Sequence, residues 1–158
     1  MTQIAKTPIN GQDEALQLLD PRGARFGAAV TTVVLALVLL TWDGPVSFAL
    51  LVLQTLVFAI GTAAGPRRQP YAWLYARLLR PRLGPPRELE DARPPRFAQA
   101  VGLTFTGAAI VAVLAGLPLL GLILTAGALI AAALNAVFGL CLGCEMYLSI
   151  VRLRRRGT

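Results

Sequence analysis

Residues 26–64 read FGAAVTTVVLALVLLTWDGPVSFALLVLQTLVFAIGTAA. The stretch is two apolar runs, 26–42 and 46–64, divided by Asp43-Gly44-Pro45, a tripeptide with the composition of a tight turn. Asp43 is its one ionisable side chain. Each run has about the length a helix needs to cross the hydrocarbon layer, the first on the short side. With three residues between them the two runs form an antiparallel hairpin.

Reading outward, a second pair follows: residues 97–115 and 119–150, joined by Gly116-Leu117-Pro118 and stopped by Arg152, Arg154, Arg155 and Arg156. The chain is 56% hydrophobic and 15% charged, and its charges are gathered into blocks that leave these runs bare. The fold expected is all-α, a polytopic membrane four-helix bundle of two tandem parallel-repeat hairpins. A polar N-terminal segment (1–25), a central loop (65–96) and a basic tail (151–158) complete the 26–150 membrane domain. No basic stretch or small-residue cleavage site gives the first run the look of a cleaved signal peptide, so it reads as a retained span.

Lys6, Arg22 and Arg25 precede the first span, eight arginines lie between the second and third, and four follow the last. The two turns carry no basic residue. The positive-inside rule then puts both termini and the central loop in the cytoplasm of a cell whose inner (plasma) membrane holds the bundle. The net charge of +7 is accounted for by topology and by anionic headgroups. Nucleic acid is therefore not an expected partner; the lipid bilayer is.

The first and third spans begin alike, with Asp20-Pro21-Arg22-Gly23-Ala24-Arg25-Phe26 against Asp91-Ala92-Arg93-Pro94-Pro95-Arg96-Phe97. The second and fourth match through Gly61-x-x-x-Gly65 and Gly139-x-x-x-Gly143, although the spacing between copies differs for the two matches. Small residues four apart let helices approach closely, so Gly61, Gly65, Gly139 and Gly143 read as packing residues. Gln54 and Asn135, amides inside spans, should hydrogen-bond within the bundle. A homodimer is left open.

In the loop, residues 70–80 place Tyr71, Leu74, Tyr75 and Leu78 on one helical face, with Arg77 and Arg80 elsewhere and Trp73 at headgroup level. This reads as an interfacial helix on the cytoplasmic leaflet. Residues 81–95 hold five prolines with Glu88, Glu90 and Asp91 among arginines, an extended connector that is either a solvated linker or a docking segment.

Cys141 and Cys144 are the only motif with evident chemistry. Three residues apart, they share a helical face. On a helix begun at Leu119, Cys141 has risen about 33 Å, to the cytoplasmic boundary. A late position in a helix, with Glu145 adjacent, pushes a thiol pKa upward, so a reactive pair would need a cation from Arg22, Arg25, Arg93, Arg96 or Arg152. Two readings stay open: thiol chemistry, or two small side chains packed beside Gly143. With no histidine in the chain, four zinc ligands would need a second copy, so no metal and no cofactor is expected. A reducing cytosol argues against a permanent disulfide.

Asp20-Pro21-Arg22, then Arg82-Leu83-Gly84-Pro85-Pro86-x-Glu88-Leu89-Glu90, Pro95-Arg96-Phe97-Ala98-Gln99-x-Val101-Gly102 and Asn135-x-x-Phe138-Gly139-x-Cys141-Leu142-Gly143-Cys144-Glu145-x-Tyr147 together resemble the bacterial membrane family catalogued as domain of unknown function 4395. The resemblance spans the chain from about Asp20 to Tyr147. It brings no established activity. It implies an actinobacterial setting near thioredoxin-like proteins and sulfurtransferases. Three functions are thereby expected to compete. In the first, a thiol redox or sulfur relay uses Cys141 and Cys144, tuned by Glu145, with such a soluble partner. The second is a non-catalytic anchor for those partners. The third is a transporter of a small sulfur species, weakened by the lack of ionisable residues at mid-span.

Overall fold

The structure is a computed structural model that describes residues 18–42, 44–86 and 89–156, without the side chains of the last two of these. Residues 1–17, Asp43 of the first turn, the Arg87-Glu88 part of the connector and the last two residues of the tail lie outside it. Its elements are β1 (Leu18–Leu19), α1 (Pro21–Leu40), α2 (Pro45–Ala63), α3 (Pro70–Leu78), α4 (Arg80–Leu83), β2 (Glu90–Asp91), α5 (Arg93–Leu114), α6 (Pro118–Phe138) and α7 (Leu142–Arg156).

Helices α1, α2, α5 and α6 are each long and apolar enough to cross a membrane. Every one of them, and α3, carries proline in its first turn, where the missing N–H leaves no bond unmade and the fixed φ suits a helix. The prolines therefore set the starts. They fall earlier than the apolar runs on α1 and α5, which take in Arg22, Arg25, Arg93 and Arg96 as their first turns. Hydropathy marks the part of a helix that meets lipid, whereas capping chemistry marks where the helix begins.

The four long helices close a ring in which α1 touches α2 and α6, and α5 touches the same two. Large apolar side chains such as Val33, Leu40, Leu56, Val111 and Ile130 point outward, as a lipid-facing surface requires. Inside, Val38, Leu51 and Ala109 form a core with Trp42, Leu50, Ile110 and Leu124 near the turn end. Small residues make this possible. A methyl on Gly121 would lie 2.7 Å from Val113 Cγ2 and 3.1 Å from the Ala109 carbonyl oxygen. Two buried hydroxyls are satisfied within their own helices, Thr106 donating to the Gly102 carbonyl and Thr125 to that of Gly121, whereas buried Ser47 of α2 donates across to the Val38 carbonyl of α1 at 3.0 Å.

The other end, where the arginines gather, shows the repeat. β1 and β2 pair antiparallel, Leu18 opposite Asp91 and Leu19 opposite Glu90. Asp20 accepts the N–H of Arg22 at 2.9 Å, and Asp91 accepts that of Arg93 at 2.9 Å. Arg25 donates to the Ala136 and Val137 carbonyls at the end of α6, at 3.3 and 3.2 Å. Arg96 donates to the Thr62 and Ala63 carbonyls at the end of α2, at 2.7 and 2.9 Å. Each repeat thus caps the second span of the other, pairing a cation with the negative end of a helix. Finally α3 folds back on α1, and α7 on α5. The unit is a strand, two spans and an amphipathic helix, and it is longer than the hairpin read from the sequence.

This alignment corrects the glycine match. The residue equivalent to Gly139 is Gly65: both follow the second span of their unit with positive φ, 71° and 91°. Neither is a packing glycine. Both end a helix in the left-handed conformation that glycine adopts without steric cost.

Candidate functional site

The fourth span ends at Phe138, and Gly139 turns the chain at φ 71°, ψ 12°. Residues 142–156 form a separate helix, so the expected span of 119–150 is corrected. One helix of that length would measure about 48 Å, well beyond the hydrocarbon thickness. The break reverses the local electrostatics of the cysteines. Cys141 stands immediately before α7, and its Sγ accepts the Cys144 N–H at 3.3 Å, as an N-cap side chain does. The pair is therefore at a helix N-terminus and not near a C-terminus, and the α7 dipole favours thiolate there. Glu145, exposed in the first turn, complements the same dipole.

Cys141 and Cys144 are joined as a disulfide, with Cα atoms 5.2 Å apart. This differs from both the free packed thiols and the reduced state expected of a cytosolic pair. The seat for the pair is α5. Gly143 lies against Ala98, where an added methyl would come within 2.6 Å of its Cα, and the Phe97 and Tyr147 rings meet at a tilt of 49° with centres 5.9 Å apart. Gly143 is thus a packing residue, toward α5.

Both cysteines line a cavity of about 1100 Å³ that starts at a polar mouth with Asp20, Arg80 and Glu90. It continues into the bundle past Asn135 to Thr31, Phe58 and Phe105. Two further amides in its wall escaped the sequence reading. Gln69, 5% exposed, stands at the N-cap position of α3 without a side-chain capping bond, and Gln99 sits in the second turn of α5. The Oε1 atoms of both are buried with no hydrogen-bond partner among the described residues. They converge over Gly61, where a methyl would be 2.9 Å from each oxygen, and Gln69 Nε2 lies over Gly27. Gly61 is therefore a packing glycine whose missing side chain makes room for glutamines.

The family model for Domain of unknown function (DUF4395) matches residues 19–152, from β1 into the last turns of α7. The chain belongs to that family. No curated protein and no solved structure matches it. The DUF4395 match takes in nearly all of both repeat units, both cavity glutamines and the cysteine pair.

The remaining predicted residues of this DUF4395 chain are accounted for as follows. Gln54, fully buried, donates from Nε2 to Thr31 Oγ1 at 3.3 Å and accepts from the Tyr71 hydroxyl at 2.8 Å, linking α1, α2 and α3. Burial pushes the Tyr71 phenol above its ordinary pKa. The Tyr75 phenol is pushed up as well, by burial first and then by the Asp20 carboxylate to which its hydroxyl donates at 3.0 Å. Of the face predicted for α3, Tyr71, Leu74 and Tyr75 turn inward, but Leu78 is exposed because the helix ends there. Trp73 is exposed, with the Arg77 guanidinium 5.1 Å from its ring centre. The extended connector contains α4, whose Leu83 carbonyl accepts from Arg22 at 3.5 Å. Four of the five arginines offered as thiolate partners are engaged elsewhere: Arg25 and Arg96 on helix-end carbonyls, Arg22 on the connector and Arg93 beside Asp91 at 3.9 Å, while Arg152 is an exposed residue of α7 itself. The α7 N-terminus supplies the positive potential that they were expected to supply.

Proposed function

We propose that this DUF4395 protein is a thiol redox or sulfur-relay component of the bacterial inner membrane, with both termini and the central loop in the cytoplasm. Cys141 and Cys144 exchange with a soluble thioredoxin-like or sulfurtransferase partner. The observation that carries the reading is the position of Cys141 at the N-cap of α7, its sulfur accepting the Cys144 N–H in the wall of a cavity open at the arginine-rich end. Sulfur in that position leaves and attacks as thiolate.

In the exchange a partner thiolate attacks one sulfur of the disulfide and releases the other as thiolate, giving a mixed disulfide. The partner's second thiol then displaces the remaining sulfur, so that two electrons and two protons pass to this pair and the partner is oxidised. The reverse sequence starts at Cys141, whose thiolate the helix favours, and ends with Cys144 as resolving thiol. Charge topology supports a cytoplasmic address for the pair, because every Lys and Arg of the sequence lies outside the two turns.

The test is thiol trapping in membranes with a maleimide of high mass, before and after reduced thioredoxin. The pair should shift from unlabelled to doubly labelled, and Cys144→Ser, given oxidised thioredoxin in place of reduced, should form a mixed disulfide as the Cys141 thiolate attacks the partner's disulfide and releases its second thiol. If the pair never opens, and Cys141→Ser with Cys144→Ser leaves the host's phenotype unchanged, the protein is an anchor and not a redox component.

A further inference from the structure

We infer that α7 lies in the plane of the bilayer surface at the arginine-rich end and binds anionic phospholipid headgroups there, whatever the chemistry of its cysteines. Helical spacing divides α7 into faces. Gly143 and Tyr147 are turned to α5, against Ala98 and Phe97, and Val151, one turn on, is half-buried on the same side. Met146, at the rim of the cavity, begins a second face with Ile150 and Leu153; these three are 50, 41 and 68% exposed. Glu145, Ser149 and Arg152 form a third, polar and exposed. An open apolar stripe between a protein-packed side and a polar side suits a helix lying in an interface, with acyl chains under one edge and water over the other.

The repeat fixes the level of this helix. Tyr75 of α3 and Tyr147 of α7 each meet the phenylalanine near the start of their own unit's first span, Phe26 and Phe97, and both ring pairs have centres 5.9 Å apart. The two helices therefore sit at one height, beside the first turns that carry Arg22, Arg25, Arg93 and Arg96. Counted from those tyrosines, exposed Leu78 and Ile150 stand three residues on, and exposed Arg80 and Arg152 five on. The lipid-facing surface also reaches α7 along the chain, because α6 ends in Val137 and Phe138, both exposed, three residues before α7 begins.

Charge selects the headgroup. α7 holds four arginines against one glutamate, and exposed Arg152 and Arg154 have no ion pair among the described residues. A phosphodiester surface supplies anions to these arginines and hydrocarbon to the stripe below them. A second copy of the chain is a poor occupant, since pairing through this face would set arginines against arginines. Each arginine near an anionic surface favours the bound state by about fivefold.

The test uses the full chain with Cys141→Ser, Cys144→Ser and Leu153→Cys, labelled with the polarity-sensitive fluorophore NBD. It is placed in nanodiscs of phosphatidylcholine or of an equal mixture with phosphatidylglycerol. In the mixed discs the label should emit to the blue, resist acrylamide and be quenched by a lipid with a shallow doxyl group. The same label on Ser149→Cys should stay open to acrylamide. Arg152→Gln with Arg154→Gln should lower the ratio of bound to free α7 by about thirtyfold, and Arg152→Lys with Arg154→Lys should preserve it. These positions are exposed, so the thermal midpoint of each variant should be unchanged. Burial of the label that is equal in both kinds of disc, or indifferent to Arg→Gln, overturns the anionic headgroup as ligand. A label open to acrylamide in every bilayer overturns the in-plane placement. Burial that grows with protein concentration in detergent overturns it too, and gives the face to a second copy.

Discussion

Gly143→Ala tests the seat on which the cysteine pair depends. At this position an added methyl would stand 2.6 Å from Ala98 Cα and 2.7 Å from its Cβ. Carbon atoms pack at about 3.5–4.0 Å, so α7 must retreat from α5 by about 1 Å. The obstacle is backbone and the short side chain of alanine, which cannot swing aside. Overpacking of this kind costs about 1–3 kcal/mol, and for a chain of this size about 2 kcal/mol corresponds to a fall of about 4–8 °C in the thermal midpoint. Thermal unfolding in detergent, followed by circular dichroism, measures it. The same retreat carries Cys141 and Cys144 with it, so the disulfide should become faster to reduce. Gly139→Ala provides the contrast: its cost is the positive φ, about 1–2 kcal/mol per residue forced left-handed, without a clash against α5. A Gly143→Ala protein with unchanged midpoint and unchanged reduction rate would refute the docking of α7 on α5.

Four further outcomes are expected. Arg25→Gln and Arg96→Gln should destabilise to similar extents, about 1 kcal/mol each once solvent exposure is discounted, and additively in the double variant, because each caps a different helix; thermal midpoints of the three variants decide this. Tyr71→Phe should lose about 0.6–1.7 kcal/mol and Gln54→Leu more, because Gln54 also gives up its bond to Thr31, and the double variant should lose little more than Gln54→Leu alone; a double-mutant cycle reads the coupling. The raised phenols of Tyr71 and Tyr75 make the folded state hold its protons more tightly than the unfolded chain, so their contribution is full below the ordinary value of 10.0 and is lost as pH rises through the raised folded values. An alkaline series of midpoints should therefore decline above about pH 10, less steeply in Tyr75→Phe. Trp73→Ala should weaken binding of the reconstituted chain's α3 to the bilayer surface, read as increased protease access to the connector.

Part of the site was legible before the fold was known. The cysteine spacing, the buried amide Gln54 and the tyrosine face of α3 are local patterns. Gln69 and Gln99 were passed over because each sits at the edge of an apolar run, where an amide reads as surface; only the approach of α2, through Gly61, buries them. The end of α6 was missed because Gly139-Leu140-Cys141 keeps the hydropathy of a span and holds no proline. The length of the run was the available signal, since a span beginning at Pro118 is complete well before Ile150.

The sequence by itself determined the four spans, their antiparallel order and the concentration of charge at one end, because transfer into hydrocarbon depends on composition along a single segment. Proline and the Asp20 cap also encode locally where helices begin, although the apolar runs alone put the starts of α1 and α5 several residues too late. What only the tertiary structure decided is what distant segments do to one another. Arg25 and Arg96 cap helices of the opposite repeat, two glutamine oxygens meet above a glycine, and the cysteines sit at the start of a helix docked on α5. Those relations join residues up to 112 positions apart, and no local rule of composition or period can specify a contact at that distance.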